Sequence, residues 1–362
     1  MPAPLASFAR RLIAWQRRHG RHDLPWQRDW QLSRDPYRVW LSEIMLQQTQ
    51  VGTVVPYYQR FLARCPRLVD LAEASVDEVM ALWSGLGYYA RARNLHKCAQ
   101  ILAREHAGAF PREAAAIAEL PGIGRSTANA IAVFCFGARL PILDGNVKRL
   151  LCRHAGLEGW PGTPAVESQL WRHAEALLPK TGADAYIQAQ MDLGATVCTR
   201  TRPRCEVCPV ADDCVARRNG RTAELPTPKP RKALPGREAT VLMLVHRRRV
   251  LLELRPPAGI WGGLWSLPEV GTEVATEADA AVARLGCRIV SSRPLPPVTQ
   301  AFTHFRLTLR PLLCNVASRV PAATPGHRWV ALDELDAAPL PAPVRKLLAQ
   351  HAHANHARKS ST

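Results

Sequence analysis

The sequence predicts a multidomain chain: an all-α domain over residues 1–216, a basic connector over 217–238, an α+β domain over 239–350 and a polar tail over 351–362. Three observations carry that reading. Apolar residues at helical spacing, separated by short Gly/Pro punctuation, fill the first part. Residues 217–237 hold seven Lys/Arg, one acid and four prolines, a composition that favours a semi-extended tether over a packed core. Beyond it, short β-branched runs around turn residues replace the helical period. A length of 362 residues suits two domains at roughly 150 residues each.

Charge and composition narrow the class. Lys+Arg 48 against Asp+Glu 30 gives a formal net charge of +18, which points to a polyanionic partner, nucleic acid before membrane. An apolar content of 47% excludes a disordered chain. No run of about 18 apolar residues is present, so no membrane span is expected. The N-terminus lacks the apolar core of a signal peptide; Phe8, Leu12 and Trp15 recur at helical spacing and predict a first amphipathic helix instead. With 10 Cys, four of them between 198 and 214, the chain is no disulfide scaffold. An intracellular protein with one metal or cluster site is expected.

In chain order, Asp35-Pro36 is a start signal, an N-cap acid followed by Pro at the first helical position. Tyr37, Trp40, Leu41, Ile44 and Gln48 then fall on one stripe. Further helical patterns cover 71–83, 91–106, 126–136 and 166–178. Strands are predicted over 239–245, 250–254, 302–309 and 328–330, with a closing helix at 344–349. The tail is expected to be unstructured, its three His a matter of composition.

Three features carry chemistry. Cys198, Cys205, Cys208 and Cys214 have the spacing C-x6-C-x2-C-x5-C, and four thiolates so close in sequence can wrap one metal centre. Zinc is the common case; the wide flanks suit a larger cluster. Arg200, Arg202, Arg204, Arg217 and Arg218 surround it. Second, Leu120-Pro121-Gly122-Ile123-Gly124-Arg125-Ser126-Thr127-Ala128 places two glycines in a tight turn before a helix. Backbone N–H groups and the helix dipole there suit a DNA phosphate, through Gly122, Gly124 and Arg125. Third, Glu43 lies just off an apolar stripe and Asp144 lies among apolar residues beside Gly145. Cleaving a glycosidic bond wants one acid to protonate the leaving group and a second, ionised, against the developing oxocarbenium ion. Taken singly, each acid also reads as a cap or a surface group.

The hairpin, the Asp downstream of it and the four-Cys cluster together resemble the endonuclease III (helix-hairpin-helix) superfamily of DNA glycosylases. Leu24-Pro25-Trp26, 42–50, 85–94 and 143–149 resemble its MutY-type branch, and the resemblance runs from about residue 8 to 350. It implies a glycosylase domain holding one [4Fe–4S] cluster on the four Cys, and a monomeric, cytoplasmic, nucleoid-associated enzyme of bacterial type. The implied partner is duplex DNA carrying adenine opposite 8-oxoguanine or guanine, with the adenine flipped out to be reached. Carried over by motif, Glu43 protonates adenine N7, Asp144 stays ionised against the cationic sugar and Asn146 supports both. Gln48 and Tyr88 enter the stack around 8-oxoguanine, and Trp26 and Gln188 line the adenine pocket. The segment 27–34 is longer than is usual in the branch. At position 126 the superfamily's lyases carry a Schiff-base Lys; Ser126 cannot supply that amine, which favours monofunctional hydrolysis.

Residues 239–350 resemble the branch's Nudix-like domain through 252–257 and 259–265. A Nudix hydrolase needs a carboxylate-rich Mg²⁺ helix. Residues 271–286 offer only Glu273, Glu277 and Asp279, so a binding role without pyrophosphatase activity is expected. Phe302, Thr303 and His304 then resemble the loop that reads 8-oxoguanine, with Thr303 where Ser is frequent. Three rivals are a bifunctional glycosylase/lyase on oxidised pyrimidines, opposed by Ser126, a non-catalytic DNA scaffold, opposed by Glu43 and Asp144 in their motifs, and a nucleotide pyrophosphatase with a DNA-binding arm, opposed by the missing acid helix.

Overall fold

The computed structural model describes residues 4–27, 34–230, 233–256, 259–270, 285, 287–302, 304–317, 325–335 and 338–359. Thr303, Glu273, Glu277, Asp279 and most of the segment 27–34 lie outside the described residues. Contacts divide the chain into two compact units, Met1–Glu73 with Asn94–Arg231, and Ala74–Arg93 with Lys232–Thr362. Within the second unit, Arg93 Nη1 donates to the Gly262 carbonyl at 2.5 Å, and Arg345 Nη2 to Ser84 Oγ at 3.2 Å. These bonds tie the 74–93 segment to the C-terminal residues, a grouping that local sequence patterns cannot reveal.

The first unit is helical. Helix α1 (Pro4–His19) buries Phe8 and Leu12, the expected amphipathic pair. Helix α2 (Pro36–Leu46) begins as the sequence predicts, with Asp35 Oδ1 accepting from the Tyr37 N–H at 2.9 Å and Pro36 in the first turn. It buries Tyr37, Val39, Trp40, Leu41, Ile44 and Met45, each worth about 1.5–3 kcal/mol of apolar transfer when fully enclosed. The stripe stops short of Gln48, because the helix ends at Leu46.

Helices α3 (Val51–Arg64) and α4 (Leu68–Glu73) follow; α5 (Val76–Trp83), which belongs to the 74–93 segment of the second unit, starts anew at a Ser75/Glu78 capping box. That box splits the single helix predicted over 71–83. Next come α6 (Ala90–Glu105), α7 (Ala114–Ala118), α8 (Arg125–Phe136) and α9 (Gly145–Ala155). The series closes with α10 (Pro164–Ala176), α11 (Ala183–Thr196) and α12 (Val215–Arg218).

The connector's first half is fastened to this unit. Arg221 pairs with Glu158 and Glu224, the Leu225 carbonyl accepts from buried Arg153, and the Thr227 hydroxyl accepts from the Gly159 N–H. Leu225 supplies the reason, since it is 2% exposed and docks an otherwise polar strand.

Among the described residues the second unit is built on an 8-stranded sheet: β1 (Gly236–His246), β2 (Arg249–Leu254), β3 (Trp265–Ser266), β4 (Glu269–Val270), β5 (Ile289–Pro294), β6 (Val298–Ala301), β7 (Arg306–Val316) and β8 (His327–Ala331). The main order is β3-β2-β1-β7-β5, with β1 and β7 parallel and Leu242 opposite Leu312. Both faces of β1 are covered. Val241, Met243 and Val245 enter one apolar cluster, and Leu242 and Leu244 another. Helix α13 (Ala342–Lys359) adds Val344, Leu347 and Leu348 to the first cluster. It continues into the predicted tail as far as Lys359 with His351 buried, since its alanines favour helix and no Pro or Gly follows Pro343. Among the described residues no helix is long and apolar enough to cross a membrane.

Candidate active site

Asp144 is the N-cap of α9. Its Oδ1 accepts from the Val147 N–H at 2.7 Å. The segment leading to it is pinned twice from α8: Asn129 Nδ2 donates to the Pro141 carbonyl at 2.7 Å, and Ser126 Oγ accepts from the Leu143 N–H at 2.9 Å. Ser126 thus holds the approach to Asp144 and brings no amine. On the far side, α11 packs so closely that a Cβ on Gly194 would lie 2.6 Å from Asn146 Cβ and 3.2 Å from Asn146 backbone atoms.

Glu43 stands on α2, half-buried, in a cleft lined also by Arg21, Trp26, Ser42, Gln188 and Met191. The structure therefore brings the predicted acid together with both predicted pocket residues. Trp26 is buried in a 3-10 turn, edge-on to Tyr58 at 5.4 Å. Among the described residues the Glu43 carboxyl has no hydrogen-bond partner. Burial first, and the neighbouring Asp144 charge second, push it up to about 8. Asp144 is raised as well, by burial, but the backbone N–H groups of Val147 and Asn146 and the charges of Arg149 and Arg21 oppose the rise. The pair is thereby separated: one acid poised to hold a proton at neutral pH, the other supported as an anion.

Arg149 is a residue that sequence reasoning missed. Its Nη2 donates to Asn146 Oδ1 at 2.8 Å and to the Gly194 carbonyl at 2.7 Å, while Nε donates to the Cys198 carbonyl at 2.8 Å. One turn on, Arg153 is 2% exposed and donates to Cys198 Sγ at 3.4 Å and the Thr199 carbonyl at 2.7 Å. Helix α9 thus carries Asp144 at one end and grips the cysteine loop at the other. Arginines at i and i+4 on the helix after Asp144 were the available signal, and their partners lie too far off in sequence to be inferred.

Cys198, Cys205, Cys208 and Cys214 line one cavity with Leu150, Val197, Val210 and Ala211. Burial pushes the Cys208 thiol up to about 12, and the other cysteines raise it further when charged. Four such thiolates require a cationic centre among them, and the Arg153 hydrogen bond to sulfur fits an iron–sulfur group.

The hairpin glycines are positioned for close backbone approach. Gly122 has φ +80° and is exposed, and a Cβ there would meet Asn94 Cβ at 2.8 Å; Gly124 is the N-cap of α8. Arg125 stacks 3.9 Å above Trp171 and donates to Glu175 at 2.9 Å. Lys148 pairs with Glu167 at 2.7 Å.

Two predicted stack-entering residues share an uncommon backbone. Gln48 has φ 58° and is exposed; Tyr88 has φ 51° and is 50% exposed. Non-glycine residues held in the left-handed region cluster at working sites. In the second unit, Phe302 stacks on Phe305 at 4.6 Å, and the Phe302 N–H donates to the Phe305 carbonyl at 2.8 Å. This closes a tight loop on which His304 is exposed.

A glycine hairpin leading into a helix, two half-buried carboxylates and a four-cysteine loop on one helical unit fit a base-excision type of DNA repair protein. Family profiles agree: "HhH-GPD superfamily base excision DNA repair protein" matches 41–176, "Iron-sulfur binding domain of endonuclease III" matches 198–214 and "NUDIX domain" matches 240–350. Adenine DNA glycosylase of Buchnera aphidicola subsp. Acyrthosiphon pisum is 34% identical over 343 residues, covering 94% of this chain and 96% of that protein. The Homo sapiens adenine DNA glycosylase is 34% identical, covering 95% of this chain and 74% of that protein. A solved thermostable thymine-DNA glycosylase superposes with a TM-score of 0.52 at 27% identity, covering 59% of this chain and 95% of that one. The chain belongs to the adenine DNA glycosylase family, and it carries the family's iron–sulfur region.

Proposed function

We propose that this enzyme hydrolyses the N-glycosidic bond of adenine paired with 8-oxoguanine, or with guanine, in duplex DNA, acting as a monofunctional, cytoplasmic, nucleoid-associated monomer. One observation carries the reading: two half-buried carboxylates interact, with Glu43 at about 8 in the same cleft as Trp26 and Gln188. Glu43 arrives protonated and delivers its proton to adenine N7 as the bond to C1′ breaks. Asp144, held by the N-terminus of α9, faces the sugar as positive charge develops. Asn146, tied by Arg149, keeps that end of the site in register.

Gly122, Gly124 and Arg125 contact the DNA backbone. Gln48 and Tyr88 enter the stack. Phe302, Thr303 and His304 read the opposite base from the domain over 239–350. The connector over 217–238 joins that domain to the helical one over 1–216. Cys198, Cys205, Cys208 and Cys214 hold the [4Fe–4S] cluster, which organises the loop that Arg149 and Arg153 grip.

The reaction should show a bell-shaped pH dependence of kcat/KM. It falls as pH rises through about 8, where the Glu43 proton is lost. The acid limb lies above the ordinary carboxylate range, where Asp144 is protonated. A rate independent of pH between 6 and about 9.5 would contradict these assignments. The purified protein should absorb near about 400 nm, and Cys208→Ser should lose that band with its iron; a colourless, zinc-loaded wild type would remove the cluster.

The test of substrate and mode uses duplexes with adenine opposite 8-oxoguanine, guanine or cytosine. Strand breaks are expected only after alkali, fastest opposite 8-oxoguanine and absent opposite cytosine. Breaks before alkali would favour the lyase, and equal rates opposite all three would remove the reading role of 302–304.

A further inference from the structure

Asp192 takes no part in the chemistry proposed above, yet it is 0% exposed and hydrogen-bonds to two residues that line the cleft, Arg21 and Gln188. It lies on α11, one turn after Gln188. Its Oδ1 accepts from Arg21 Nε at 2.8 Å and from Gln188 Nε2 at 2.9 Å, and its Oδ2 accepts from the Arg21 backbone N–H at 3.1 Å. An arginine can only donate, so the oxygen facing it accepts. Gln188 meets that same oxygen and must turn its NH₂ toward it. The amide therefore has one orientation, and its carbonyl Oε1 is the group left for the cleft that Gln188, Arg21 and Glu43 line. Arg21 likewise has Nε committed and keeps its two terminal nitrogens as donors.

We propose that Asp192 is a specificity-determining positioning residue that selects a 6-amino purine over a 6-oxo purine. This rests on the adenine-excision reading and adds to it. A 6-amino group donates, and Gln188 Oε1 accepts. A 6-oxo purine sets oxygen against oxygen where Gln188 cannot turn over, because turning would also point its carbonyl at Asp192. An opposition of buried acceptors discriminates far more strongly than a size difference, here by on the order of 100-fold or more. Neither Gln188 nor Asp192 makes this selection alone: an unanchored amide offers either end.

The experiment compares single-turnover excision of adenine, hypoxanthine and unsubstituted purine by the full-length holoenzyme, each opposite the same base in one duplex. Asp192→Asn places an amide beside Gln188, so both orientations open. The adenine-to-hypoxanthine rate ratio should fall at least about tenfold, with purine, which has no 6-substituent, serving as the measure of general damage. Should Asp192→Asn fail to fold by circular dichroism, Gln188→Leu carries the test, and the ratio should collapse there by a similar factor. An unchanged ratio in the folded variant, with all three bases slowed equally, would overturn the Asp192 assignment alone. A wild-type enzyme that releases none of the three would overturn the adenine-excision reading and this assignment with it.

Discussion

Glu43→Gln stops base excision and at the same time raises the thermal stability of the protein near neutral pH. The first effect follows from chemistry: an amide cannot deliver a proton, and general-acid catalysis is worth about 10²–10⁴-fold. Duplex affinity should stay within about tenfold, because the substitution leaves every Lys and Arg of this net-positive chain in place. The second effect follows from linkage. A carboxyl at about 8 in the folded chain, against an ordinary 4.5, takes up a proton on folding between those two pH values. Its contribution is neutral below the unfolded value and grows unfavourable as pH rises toward 8. At pH 7 the cost is about 3 kcal/mol, and Gln does not bear it. The melting difference between variant and wild type should therefore be large at pH 7 and vanish near pH 4. A variant that melts below wild type at pH 7 would show that the carboxyl is stabilised by a partner and is no poised acid.

Gly194→Ala should be nearly as damaging to catalysis, though it lies outside the cleft. Its Cβ would stand 2.6 Å from Asn146 Cβ and 3.2 Å from the backbone of the same residue, and backbone does not swing aside as a flexible side chain can. Either α11 or the first turn of α9 must move. Asp144 and Asn146 sit in that turn, and the Gly194 carbonyl itself holds Arg149. Displacements of about 1 Å at a reacting group cost on the order of 10²-fold. Overpacking adds about 1–3 kcal/mol of destabilisation. Single-turnover rates and thermal melting should both fall while duplex affinity changes little. Wild-type rates in Gly194→Ala would mean that the register of α9 against α11 is not what holds Asp144.

The parts of this fold that were legible in sequence are those with local causes. Asp35-Pro36 announces α2 because capping is decided within a few residues. The four cysteines were legible because all lie between 198 and 214, and the hairpin because its glycines meet a turn requirement in place. Strand β5 was missed since it is largely exposed and lacks an apolar alternation, and β3 and β4 are two residues each. The single helix expected over 71–83 concealed a capping box at Ser75.

The site divides in the same way. Glu43 and Asp144 were each visible as acids in apolar settings, but their pairing is a tertiary fact that only a family resemblance suggested. Arg21 and Asp192, 171 residues apart, carried no signal at all. Neither did the bonds from Arg149 to Asn146 and to the Cys198 carbonyl, although each residue stood in plain view. Networks of this kind depend on which helices pack together, and periodicity does not specify that.

In the proposed mechanism a protonated Glu43 drives hydrolytic release of an intact base. It is tested most directly by chromatographic detection of free adenine from a duplex with adenine opposite 8-oxoguanine, beside the length of the substrate strand before alkali. Adenine should be released in step with alkali-sensitive sites, the strand should be unbroken before alkali, and Glu43→Gln should give neither product. Free adenine from Glu43→Gln at the wild-type rate, or strand scission before alkali in step with base release, would contradict it.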